Sequence, residues 1–104
     1  MSVNELFEQV REYQRTIELG NTTERLLDSL DFKKVISDGL LKQGITTLAL
    51  DLANCTKDSL EYTQIVREID AISYLNVYLN NLIDQGREAL PLLREAQELL
   101  NNEE

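Results

Sequence analysis

Apolar residues recur at intervals of three and four along almost the whole 104-residue chain, and only one proline and four glycines interrupt the pattern. Side chains three or four apart share one face of a helix, whereas strands need alternation at every second position. Val, Ile, Thr and aromatic residues never alternate with polar ones for long, so the pattern predicts an all-α fold. In the first stretch Val3, Leu6, Val10, Tyr13 and Ile17 form a stripe that Phe7 widens. Ser2 or Asn4 can cap this helix, and Gly20-Asn21 is expected to end it.

Thr22 or Thr23 then offers a cap for a second stretch carrying Leu26, Leu27 and Leu30. Asp31 offers another for a short helix over 32–38, closed by Gly39 in a left-handed conformation. Leu41, Ile45, Leu48, Leu52 and Cys55 mark one face of a further helix, whose start Gly44 weakens. Thr56, Asp58 or Ser59 opens the longest element, over 59–86, with Ile65, Ile69, Ile72, Leu79 and Ile83 on one face. Residues 71–82 are apolar around most of the helix circumference, which implies burial between two layers or against a partner. Gly86 and Pro91 are expected to kink or break the helix before a last amphipathic segment with Leu92, Leu93, Ala96, Leu99 and Leu100. Asn101 to Glu104 look like a frayed tail.

Length and a 42% hydrophobic content suit one modest core, so residues 1–104 are expected to form a single helical domain. The expected architecture is a compact bundle of four or five helices with one long central helix. Its packing residues are expected to be Phe32, Ile36, Leu48, Leu52, Ile69, Ile72, Leu79 and Ile83. A core this small leaves room for self-association to complete it.

Ten basic against nineteen acidic residues give a formal charge of -9. That charge repels nucleic acid phosphates and anionic membrane surfaces, so neither is an expected partner. The N-terminal MSVNELFEQV carries Asn4, Glu5 and Glu8 where a signal peptide needs a basic start and an apolar stretch. Cys55 has no second cysteine to pair with, and a reducing, cytoplasmic location is expected.

The chain has no histidine, which removes the commonest general base and every imidazole-dependent triad. Carboxylate di-metal bundles rely on Glu-x-x-His pairs and are disfavoured for the same reason. Pairs such as Glu5 with Glu8 and Glu95 with Glu98 fit solvated helix faces, and no loop matches a calcium or phosphate-cradling motif. Cys55 follows the apolar spacing at a helix C-terminus, where the helix dipole disfavours a thiolate. A non-enzyme without catalytic residues, cofactors or metals is therefore expected.

The first helix keeps Leu6, Val10, Tyr13 and Ile17 near heptad positions with charges outside the seam. Either this seam packs into the protein's own core or it recruits a partner helix. The protein-contact candidates are Leu6, Val10, Tyr13 and Ile17, with Leu92, Leu99 and Leu100 near the other end.

The run Leu30-Asp31-Phe32-Lys33-Lys34-Val35-Ile36-Ser37-Asp38-Gly39-Leu40, then Ala71-Ile72-Ser73-Tyr74-Leu75 with Tyr78-Leu79, then Gly86-Arg87-Glu88-Ala89, resembles small helical proteins encoded by tailed bacteriophages. The resemblance covers roughly residues 26 to 90. It implies a protein made in the host cytoplasm and associated with a virion or its assembly, and it carries over no catalytic residue. The expected function is thus a structural or assembly protein working by helix–helix contact, as a homo-oligomer or an adaptor. The alternative is a small acidic inhibitor that binds a basic cleft on a host nucleic-acid enzyme or a defence protein, although arginines interrupt its acids.

Overall fold

The computed structural model describes residues 2–103, and among these every regular element is helical. Helix α1 spans Val3–Asp28, and Ser2 caps it by accepting the Glu5 amide on Oγ at 3.2 Å. Helix α2 (Leu30–Phe32), a π-helix over Lys33–Gly44 and helix α3 (Ile45–Ala53) follow without interruption. Helix α4 then runs over Leu60–Glu103, so the chain has three continuous helical runs among the described residues.

Several expected boundaries fall away. Gly20 does not end α1, Gly39 adopts no left-handed conformation, and neither Gly86 nor Pro91 breaks α4. The helix also passes through Asn101 and Asn102, where fraying was expected. Glycine inside a helix costs about 1 kcal/mol relative to alanine, a penalty that close backbone packing can offset. Proline removes one backbone hydrogen bond, and Pro91 lies on an exposed face where water can satisfy the freed carbonyl.

The real interruptions occur at side-chain caps. Ser29 takes an extended conformation (φ -67°, ψ 141°) and its hydroxyl accepts the Phe32 amide at 3.2 Å, so Ser29 rather than Asp31 starts the second run. Ser59 likewise accepts the Tyr62 amide at 3.1 Å and opens α4. Between them Asp58 sits at φ 66°, a left-handed conformation that aspartate tolerates better than most residues.

The π-helix widens each turn by one residue, pairing each amide with a carbonyl five residues back. A Cβ on Gly39 would lie 3.2 Å from the Lys34 carbonyl, five residues back, so glycine at this position relieves crowding that the wider turn creates.

Contacts group the chain into two units. The first joins the residues up to Arg25 to those from Leu79 onward, and the second comprises Leu26–Tyr78. Each pairs two antiparallel helical segments, which replaces the expected bundle of four or five short helices. The physical reason is local: without left-handed glycines or a helix-breaking proline, segments that looked separate fuse into long helices, and fewer elements remain to pack.

In the first unit the buried positions are Leu6, Gly20 and Thr23 on α1 and Leu79, Ile83, Gly86, Ala89 and Ala96 on α4. Leu79 and Ile83 therefore lie in a core, as expected. In the second unit Phe32, Ile36, Leu48, Leu52, Ile69 and Ile72 are only half-buried, and among its large apolar residues Ile65 alone is buried, at 8% exposed. Tyr74, Val77 and Tyr78 are exposed at 70%, 52% and 48%, so residues 71–82 are not enclosed between two layers.

Candidate interaction surfaces

The first unit is built around a glycine crossing. A Cβ on Gly20 would stand 2.9 Å from the Leu82 carbonyl oxygen and 3.1 Å from the Gly86 Cα. A Cβ on Gly86 would meet the Gly20 Cα at 3.2 Å and the Thr16 carbonyl oxygen at 3.3 Å. The two backbones touch here, which only residues without side chains permit. Ala89 and Ala96 continue the small-residue side of α4, and Thr23 satisfies its buried hydroxyl by donating to the Leu19 carbonyl at 2.7 Å. Arg87 reaches across to Glu24 at 3.1 Å near the crossing, an exposed pair of small energetic weight.

This packing decides where the sequence's contact candidates lie. Leu6 is buried, 3% exposed, and in a unit of two helical segments it is covered by the opposing one. Val10, Tyr13 and Ile17 are half-buried. Tyr13 shares a shallow cavity of about 210 Å³ with Gln9, Leu92, Ala96 and Leu99, so residues from both ends of the sequence meet. Ile17 lines a second small cavity beside Gly20, Ile83 and Gly86. Leu92 and Leu99 keep 44% and 48% of their surface exposed, and Leu100 is half-buried. The α1 seam thus spends much of its apolar surface inside the chain.

The second unit contains a surface that sequence spacing did not single out. An open apolar groove of about 580 Å³ runs between its two helical segments. Leu40, Gly44, Thr47 and Leu48 form one wall, and Ala71 and Ile72 form the other with Glu68 at the rim. Leu48 and Ile72, expected in a core, line this groove instead. Thr47, Glu68 and Ala71 are exposed, so the groove opens broadly to solvent. The available signal is the apolar character of residues 71–82 around most of the helix circumference, which favours either enclosure or a partner.

The chemistry-bearing groups are sparse. Partial desolvation and the nearby Glu61 carboxylate, which also hydrogen-bonds the thiol, push the Cys55 pKa up, with Asp51 adding to the effect. A thiol held protonated is a poor nucleophile. Among the described residues no group of acidic or sulfur ligands is gathered to hold a metal ion, and no helix is long and apolar enough to cross a membrane.

No protein family model matches the chain, no curated protein matches it, and no solved structure matches its fold.

Proposed function

We propose that the chain is a non-catalytic structural or assembly protein acting through helix–helix contact, in the phage-encoded setting that the sequence resemblance implies. The observation that carries this reading is the apolar surface left uncovered on the Leu26–Tyr78 unit. Leu30, Leu60 and Tyr74 of this unit expose 83%, 75% and 70% of their surface, and an open apolar groove lies between its two helical segments. Apolar surface left exposed in this amount suits protein contact. The raised Cys55 pKa and the lack of any histidine support a role without chemistry of its own.

The acidic-inhibitor alternative draws on one specific feature. The residues up to Arg25 and from Leu79 onward carry eleven acidic against five basic side chains, which would suit a basic cleft. Salt separates the two. A tagged chain expressed in its native cell or infection is captured at low and at high salt, and co-purifying proteins are identified by mass spectrometry. Recovery that survives high salt, of the chain itself or of particle components, supports apolar helix packing. Recovery of a nucleic-acid enzyme or defence protein that vanishes as salt rises supports the inhibitor.

A further inference from the structure

We infer that the π-helix over Lys33–Gly44 is a register joint with two positions. In the π position Phe32 and Ile36 share one covered face with Leu41, Ile45, Leu48 and Leu52. In an α position the two residues turn about half a turn away from that face and present apolar surface to water. The device goes beyond the helix–helix reading above and does not depend on what the groove receives.

The spacing of the apolar residues calls for the wide winding. Phe32 and Leu41 stand nine residues apart, and so do Ile36 and Ile45. Each residue of an α-helix advances about 100°, so nine residues make about two and a half turns and set the members of each pair on opposite faces. Pairing with the fifth residue back reduces the advance to about 80°, and nine residues then complete about two turns. Phe32, Ile36, Leu41, Ile45, Leu48 and Leu52 are all half-buried, while Lys33, Lys34, Val35, Asp38 and Lys42 are exposed, as the wide winding requires. Unbroken α winding would instead bring Lys34, Ser37 and Asp38 into line with Leu41.

The glycines fit the same winding. Lys34, Gly39 and Gly44 stand five residues apart, along one line of the π-helix. A Cβ on Gly39 would lie 3.2 Å from the Lys34 carbonyl oxygen, and one on Gly44 would lie 3.5 Å from the Gly39 carbonyl oxygen. The tighter of the two positions is therefore the one where a side chain works against the π register.

Two tendencies oppose each other in this segment. Local geometry favours α winding, since π turns occur mostly singly within α-helices and collect at functional sites. Cover for Phe32 and Ile36 favours π winding, because only that register brings them onto the face of the α3 stripe. The two arrangements differ by a discrete half turn, which makes the segment a two-state element. On reversion α3 keeps its place: its stripe runs at α spacing from Leu41 to Leu52, and a short connection ties it to α4. The residues ahead of the joint turn instead, and Phe32 and Ile36 add to the apolar surface already open at Leu30 and Val35, 83% and 63% exposed.

NMR couplings across backbone hydrogen bonds of the full chain identify the acceptor of each amide. In the wild type the amides of residues 38–44 are expected to pair with the carbonyl five residues back. Gly39→Ala is expected to move these acceptors to four residues back while the segment stays helical, and to open Phe32 and Ile36, but not Leu48 and Leu52, to line broadening by a soluble gadolinium chelate. A second variant lacks Ser37 and Asp38, which shortens both nine-residue spacings to seven, an α-helical repeat. It loses only the exposed Lys42–Asp38 ion pair, and it is expected to hold acceptors four residues back, keep Phe32 and Ile36 protected and retain its thermal midpoint. Wild-type acceptors four residues back overturn the inference, and so does a Gly39→Ala chain that keeps the wide winding or loses helicity over 33–44. A shortened chain that unfolds in this segment or releases Phe32 overturns it too, because the wide turns then serve something other than the nine-residue spacing.

Discussion

The two units contain helices of similar amphipathic character but use them differently. Where α1 meets the end of α4, Gly20 and Gly86 bring the backbones into contact, and Leu6, Leu79, Ile83, Ala89 and Ala96 lose nearly all their exposure. In the Leu26–Tyr78 unit larger side chains, Leu40, Leu48 and Ile72, meet across an open groove and remain half-buried. Glycines facing each other at the Gly20–Gly86 crossing allow close approach and burial, whereas in the second unit the space between the segments stays open even though Gly44 and Ala71 line it beside the larger side chains. The number of apolar residues in a helix therefore does not measure how much of a core it makes, nor does small size alone close a pair.

The comparison breaks most readily at Leu6. Leu6→Ala is expected to cost about 2–5 kcal/mol, the range for emptying a buried leucine site, while Leu50→Ala, at a position 63% exposed, should stay within about 0.5 kcal/mol. Chemical denaturation of the two variants measures both, and equal losses would erase the distinction between the units.

Glycine substitutions sharpen it next. Gly20→Ala forces a Cβ against backbone at 2.9 Å and should destabilise by about 1–3 kcal/mol despite alanine's better helix propensity. A Cβ on Gly44 meets nothing closer than 3.5 Å, so Gly44→Ala should stabilise by up to about 1 kcal/mol. Thermal midpoints that move in opposite directions are the expected signature.

Smaller is the cap of α4. Ser59→Ala removes the acceptor of the Tyr62 amide and should cost about 1 kcal/mol, with Ser59→Gly losing only a few tenths. Smallest is the ion pair of the glycine crossing. Glu24→Gln should cost at most about 0.5 kcal/mol and less in high salt, because both side chains are substantially exposed. A double-mutant cycle with Arg87→Gln isolates that coupling.

Much of the fold was legible from spacing. Leu6, Val10, Tyr13 and Ile17 do share one face of a single helix, and Ser2 and Ser59 do cap where a hydroxyl before an apolar run suggests. Spacing misplaces breaks at Gly20, Gly39, Gly86 and Pro91; at Gly20 and Gly86 the reason is that glycine marks both helix ends and close helix crossings, and only the neighbouring helix distinguishes the two. Likewise Leu92 and Leu99 were recognised as apolar, yet nothing local says that Tyr13 lies beside them. The groove is not legible in the sequence because its walls come from segments twenty or more residues apart, and Leu48 and Ile72 look like ordinary core positions until their packing is known.

By itself the sequence determined helicity, the faces on which apolar residues gather, the acidic surface and the absence of imidazole chemistry, since each follows from residue type and from spacing within one helix. Tertiary structure alone decided which faces close and which stay open. Burial is a property of pairs of helices: at Gly20 and Gly86 two backbones can touch and expel water, and at Leu48 and Ile72 they cannot.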